Sequence, residues 1–244
     1  MTEIIGHGGI RMRKQFVYFV GLAVFVSLVS GAVSASAEMP SENFMVVRLG
    51  YVPFTKVVTG TGTGTAESGW DPDSRAYNYI SRGPAFNIEY NINASPVLIA
   101  LGLEYRLLWT KFSFGEGVPG SKATFDDGMQ HFILPMVMAK YMTPGGVYIG
   151  AGISGKLLIA AERLKPMSSR VEYTQMLDYW AVAAVGYMLK LDDGLFIDLQ
   201  GRFGYNLTNS QYTELKDKGT GETTFFDVKS SYDAAFYAGV AFSL

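Results

Sequence analysis

The chain has 244 residues, 48% hydrophobic and 17% charged, with a formal net charge of −2 and no cysteine. A chain of this length holds one domain of ordinary size, and its weak negative charge excludes a nucleic-acid partner held by phosphate contacts. The lack of cysteine excludes disulfides, thiolate-held zinc and thiol catalysis, and it fits an oxidising compartment.

The first predicted element is a targeting segment. Residues 11–37 read RMRKQFVYFVGLAVFVSLVSGAVSASA. Arg11, Arg13 and Lys14 give a basic start, Phe16 to Val29 an apolar core, and Ala35-Ser36-Ala37 a small-residue cleavage site. That is the pattern of a secretory signal peptide over residues 1–37, with Met12 standing where such a signal ordinarily begins. A membrane anchor is the competing reading of the same apolar run. Cleavage after Ala37 leaves residues 38–244, with a formal charge of about −4. No later window contains 18 uninterrupted apolar residues, so no helical span is expected beyond it.

From residue 43 onward the apolar residues alternate instead of following a helical stripe. Strands are predicted over 44–55, 83–92, 97–114, 130–143, 146–160, 178–191, 194–208 and 232–244. In the last of these, Tyr232, Ala234, Phe236, Ala238, Val240, Phe242 and Leu244 share one face, an arrangement that a strand separates and a helix scatters. The stretch 130–143 alternates poorly around Pro135, where a bulge would change the phase.

Short connections near 93–96, 143–146 and 192–194 carry the Asn, Asp, Pro and Gly of hairpin turns. Long connections span about 56–82, 115–129, 161–177 and 209–231, and long and short alternate strictly. An eight-stranded antiparallel up-and-down transmembrane β-barrel, all-β, has this property, with short turns at one end and long external loops at the other.

Which face meets lipid follows from the quality of each face. Val97, Ile99, Leu101, Leu103, Tyr105, Leu107 and Trp109 carry no charge over a full span and end in aromatics, as a lipid-facing side and its girdle require. The opposite face collects Arg48, Glu89, Glu104, Arg106, Lys140, Lys156, Asp178, Lys190, Asp198, Arg202 and Asp233, with Asn87 and Gln200. An eight-stranded barrel is only wide enough for side chains to fill it, so these groups are expected to pair with one another and plug the interior.

The segments HFILPMVMAKYM and GGVYIGAGISGKLL, the pair YWAVAAVGYMLKLDDGLFIDLQGRFGYNLTN and the terminal AFYAGVAFSL resemble the small outer-membrane β-barrel family, the porin-like or OmpA-like single-domain barrels. The resemblance covers roughly residues 44–244. It implies insertion into the cell outer membrane of a Gram-negative envelope, contact with membrane lipid and lipopolysaccharide, and delivery by periplasmic chaperones to the barrel-assembly machinery. Tyr232, Phe236, Val240, Phe242 and Leu244 stand where that machinery reads its C-terminal signal. The family usually ends in an aromatic residue, and here the last residue is Leu244. The resemblance implies no particular activity.

Three sharper chemistries are weighed against this frame. Gly150, Gly152 and Gly155 match G-x-G-x-x-G, and Gly150 to Lys156 match a phosphate loop lacking its final Ser/Thr. The stretch continues as an alternating strand, without the helix whose N-terminus would face an anion, so no nucleotide or other cofactor is expected. Acyl chemistry on lipid needs a base beside a hydroxyl nucleophile. The one histidine after the signal, His131, has no serine two residues away, so no catalytic residue is assigned. Asp71, Asp73, Asp126 and Asp127 lack calcium-loop spacing, so no metal is expected.

The long loops are left as the place for recognition of an extracellular ligand, with Trp70, Tyr77 and Tyr79 as aromatic contacts. The reading is thus a non-enzymatic integral barrel with a structural or surface-interaction role and at most weak passage of small solutes. A barrel enzyme acting on lipid A and a soluble periplasmic ligand-binding barrel remain as alternatives.

Overall fold

Period-two alternation puts one side of each segment in apolar and the other in polar surroundings, and antiparallel pairing then satisfies the backbone. In the computed structural model, residues 42–63, 77–94, 97–114, 124–162, 171–173, 176–208, 214–217 and 223–244 are described. They form β1 (Phe44–Thr63), β2 (Tyr77–Ala94), β3 (Val97–Phe114), β4 (Thr124–Met142), β5 (Val147–Glu162), β6 (Val171–Tyr173), β7 (Leu177–Asp192), β8 (Leu195–Asn206), β9 (Glu214–Asp217) and β10 (Thr223–Ser243). The order β1-β2-β3-β4-β5-β7-β8-β10 closes through antiparallel pairing of β10 with β1, which makes an eight-stranded barrel. Closure leaves no sheet edge within the apolar zone, the condition under which strands can cross a bilayer. Residues 1–37, read as a signal peptide, lie outside the described residues.

The short turns sit at one end. Ala94 pairs with Val97 across the first. In the second, the Gly146 amide donates to the Thr143 carbonyl at 3.0 Å, and Gly146 takes φ 80°. In the third, Gly194 takes φ 75°.

Four strands run farther toward the long-loop end than their polarity pattern predicts: β1 to Thr63, β2 from Tyr77, β4 from Thr124 and β10 from Thr223. Beyond the membrane both faces of a strand meet water, so alternation disappears while backbone pairing continues. Tyr77 and Tyr79, expected in a loop, therefore stand in β2, their side chains outside the described set; Trp70 lies outside it altogether. Two further short strands occupy segments read as loops, with β9 pairing β10 and β6 pairing β9.

No bulge falls at Pro135. Leu103 pairs with Pro135, and Ile133↔Leu157 and Met136↔Ser154 keep one register through the proline. The alternation looked muddled because β4 is apolar on both sides: Phe132, Leu134, Met136 and Met138 are buried inside, whereas Val137 and Tyr141 face out. Bulges fall elsewhere, among them at Thr110/Lys111 opposite Gly128, at His131/Phe132, and in β1 between Val52 and Thr55, where Pro53 has no N–H to give the ladder.

Inside, two apolar clusters pack beside the polar groups. Phe44, Val46, Leu98, Met142, Tyr148, Met188, Phe196 and Ala241 close the short-turn mouth. Ala100, Met136, Met138, Trp180, Val182 and Ala184 form a one-sided wall farther along.

Candidate functional site

Beside and beyond these clusters lies a network drawn from all eight barrel strands. Five cations (Arg48, Arg106, Lys140, Lys156, Arg202) and five anions (Glu89, Glu104, Asp178, Asp198, Asp233) are buried, each no more than 5% exposed. Their formal charges cancel.

In the half nearer the short turns, Arg48 donates from Nε to Asp198, from Nη1 to Asn87 Oδ1 at 2.7 Å and from Nη2 to Glu89 Oε1 at 3.1 Å. Lys140 also pairs with Glu89, and the Tyr148 hydroxyl donates to Asp198 Oδ1 at 2.8 Å.

In the second half, Glu104 accepts from Arg106, from Arg202 and, at 2.6 Å, from the Tyr237 hydroxyl. Arg106 also donates to Asp233. Gln200 joins the halves, donating to the Tyr148 oxygen at 3.1 Å and accepting from Arg202 at 2.6 Å. Lys156 lies 4.0 Å from Asp233, with its Nζ 4.6 Å from the centres of both the Phe132 and Trp180 rings, an arrangement that holds a cation partly by π-electron density. Asp178 accepts from Asn206 at 2.8 Å and from the Thr208 hydroxyl at 3.0 Å. A cavity about the size of one water molecule borders Glu104, Arg106, Ser154, Trp180 and Asp233.

Ten of the eleven charged residues assigned to the interior from the sequence are thus brought into the buried barrel. Lys190 is the exception: its side chain is 27% exposed and pairs with Asp193 of the turn at 3.0 Å. Alternation places a residue on a face but says nothing of its depth, and Lys190 sits at the mouth.

The sequence reading overlooked the two tyrosines that knit the network, although their alternation phase with Lys156 and Asp233 puts both on the inward face; what lies opposite them is set by pairing. Each falls on the inward face directly opposite a glycine, Tyr148↔Gly186 and Tyr237↔Gly50. A Cβ on Gly186 would stand 2.2 Å from Tyr148 Cζ, and one on Gly50 2.3 Å from Tyr237 Cδ1. The rings lie on bare backbone.

The glycine-rich stretch is part of β5, and strand structure continues through Lys156 to Glu162. Gly150 and Gly152 face the interior, and a Cβ on Gly152 would approach the Val137 carbonyl to 2.0 Å. Close approach of β4, not a phosphate, accounts for the glycine at 152.

His131 faces outward, with Nδ1 2.7 Å from the Tyr105 hydroxyl. Asp126 and Asp127 lie in β4 with side chains outside the described set, and Asp71 and Asp73 lie outside it entirely. Among the described residues no group of three metal-type ligands converges. Phe236, Val240 and Phe242 face outward on β10, Tyr232 is half-buried on the same side, and Leu244 just past the strand is exposed.

An antiparallel eight-stranded barrel, apolar outside and ion-paired inside, has the architecture of the small outer-membrane β-barrels. Two solved structures share the fold. The outer membrane protein OprG from Pseudomonas aeruginosa superposes with a TM-score of 0.57 at 8% identity, over 84% of this chain and 97% of that one. The outer membrane protein AlkL, solved in lipid bilayers, gives 0.52 at 12% identity, over 86% and 95%. No protein-family model and no curated protein sequence matches the chain.

Proposed function

We propose that the protein is an integral outer-membrane barrel whose role is structural or interactive, with its interior closed to all but weak passage of small solutes. One observation carries this reading. An apolar surface surrounds the barrel, with Leu49, Leu103, Ile149, Ile153 and Phe236 each more than half exposed, while ten buried charges cross-link the strands within. A soluble ligand-binding barrel has the opposite polarity, apolar inside and polar outside. The terminal β10 segment and the assembly machinery, membrane lipid as the surrounding solvent, and recognition through the long loops belong to the same proposal.

The reading assigns no catalytic role to His131, whose Nδ1 lies 2.7 Å from the Tyr105 hydroxyl. Lipid A from cells expressing the protein or its His131→Ala variant is therefore expected to show the same acylation pattern by mass spectrometry. The barrel itself is tested by fractionation. The folded chain is expected in detergent-extracted outer membrane, migrating faster on gels before boiling than after, and to give no large stable conductance steps in planar bilayers. Recovery in the soluble periplasmic fraction would overturn the membrane reading, and porin-sized steps would overturn the closed interior.

A further inference from the structure

The outward face carries cations on three neighbouring strands, all at the long-loop end. Lys56 of β1, Ile80 of β2 and Lys111 of β3 form one row across the sheet. Arg82 stands one outward position nearer the short turns, opposite Trp109. With strands about 4.8 Å apart, the backbones of Lys56 and Lys111 are about 10 Å apart, and Arg82 lies about 7 Å from the Ile80 between them. Arg82 and Lys111 are exposed and Lys56 is half-buried.

Depth follows from strand geometry. The steps from Val97 to Trp109, at about 3.4 Å each and tilted by about 40°, rise roughly 30 Å, against an apolar band about 25 Å tall. Arg82 therefore lies at the outer edge of the band, with Lys56 and Lys111 just beyond it. Among the described residues on the rest of the circumference, the outward side chains near that end include His131, Ile159, Leu177, Leu207 and Tyr232, and none is Lys or Arg. The outward charge at this end is one-sided among the described residues. Among the described residues neither Arg82 nor Lys56 meets a carboxylate within ion-pair distance, whereas Lys111 is partnered, and its backbone pairs with that of Asp126 in the ladder.

A cation facing lipid is costly inside the band and nearly free at its edge, where lipid phosphates lie. A planar guanidinium can grip two phosphate oxygens, and an ammonium on the adjacent strand adds a point charge. Trp109, 44% exposed, offers an interfacial ring beside them. We propose that Lys56 and Arg82, with Lys111 alongside, form a docking site for the phosphorylated headgroup of a membrane lipid on the outer end of β1–β3. The site rests on the membrane-barrel reading above.

The test uses the full chain folded in neutral detergent, with folding scored by heat-modifiable migration before lipid is added. A chain lacking that signature overturns the barrel reading, and the site with it. Given a folded chain, titration with a diphosphorylated glucosamine-disaccharide lipid, followed by native mass spectrometry, is expected to show saturable binding. Lys56→Gln and Arg82→Gln are each expected to weaken it about fivefold, and the double variant about 30-fold, with folding unchanged. The dephosphorylated lipid is expected not to bind, and inorganic phosphate to compete only at far higher concentration. Equal binding of both lipids, or a double variant that binds like the parent, overturns the site. Displacement by inorganic phosphate in the lipid's own concentration range makes it a site for a solution anion instead, and overturns the lipid assignment.

Discussion

Single positions in this barrel are set by how closely neighbouring strands approach. Gly186 and Gly155 make the contrast. A Cβ on Gly186 would stand 2.2 Å from Tyr148 Cζ and 2.6 Å from the Leu199 carbonyl, and the backbone cannot yield as a side chain can. A Cβ on Gly155 meets nothing nearer than Leu177 Cδ1 at 3.4 Å, an ordinary contact. Gly186→Ala is therefore expected to destabilise the folded barrel by about 1–3 kcal/mol and to disturb the Tyr148–Asp198 bond. Gly155→Ala is expected to stay within about 0.5 kcal/mol of the parent. Denaturant unfolding from lipid vesicles, followed by tryptophan fluorescence, measures both. The identity of Gly150, Gly152 and Gly155 was plain in the sequence and matched a nucleotide loop. What each glycine faces was not, because that depends on a strand paired from elsewhere in the chain.

At the scale of elements, turns and strand phases were legible and strand lengths were not. Asp-Gly at 193–194 marked a hairpin because one residue there must adopt a positive φ, and Gly194 does so at 75°. Gly194→Ala is expected to cost about 1–2 kcal/mol from backbone strain, while Gly194→Asn, whose side chain tolerates that conformation, costs less. Equilibrium unfolding of the two variants side by side checks the order. The ends of β1, β2, β4 and β10 were invisible because a strand surrounded by water on both sides has no reason to alternate. Pro135 misled for a different cause. Its strand is apolar inside as well as outside, with Phe132, Leu134, Met136 and Met138 packed against the interior wall. Two-sided apolarity imitates a broken phase.

At the scale of the whole molecule, closure turns scattered charges into a balanced interior. Buried ions are costly unless paired, and removing one partner of a pair strands the other. Arg48→Met leaves Asp198 and Glu89 without their shared guanidinium and is expected to cost about 3–5 kcal/mol. Adding Asp198→Leu is expected to restore part of that loss, so the double variant is more stable than the sum of the single ones predicts. A double-mutant cycle on the folded barrel in vesicles measures the coupling, and strict additivity would show that the two residues act independently.

The sequence by itself determined the alternation, the strict succession of short and long connections, the face on which each charge falls and the absence of thiol chemistry. These are local properties, fixed by period two and by turn residues. Only the tertiary structure decided which charge meets which. Arg48 and Asp198 are 150 residues apart, and Glu104 and Tyr237 are 133 apart. It also decided that Lys190 stays at the mouth, that two tyrosines rest on glycines, and that three outward cations form a single patch. Each of these depends on register and depth around a closed barrel, and register between distant strands is a property of their pairing that neither strand carries alone.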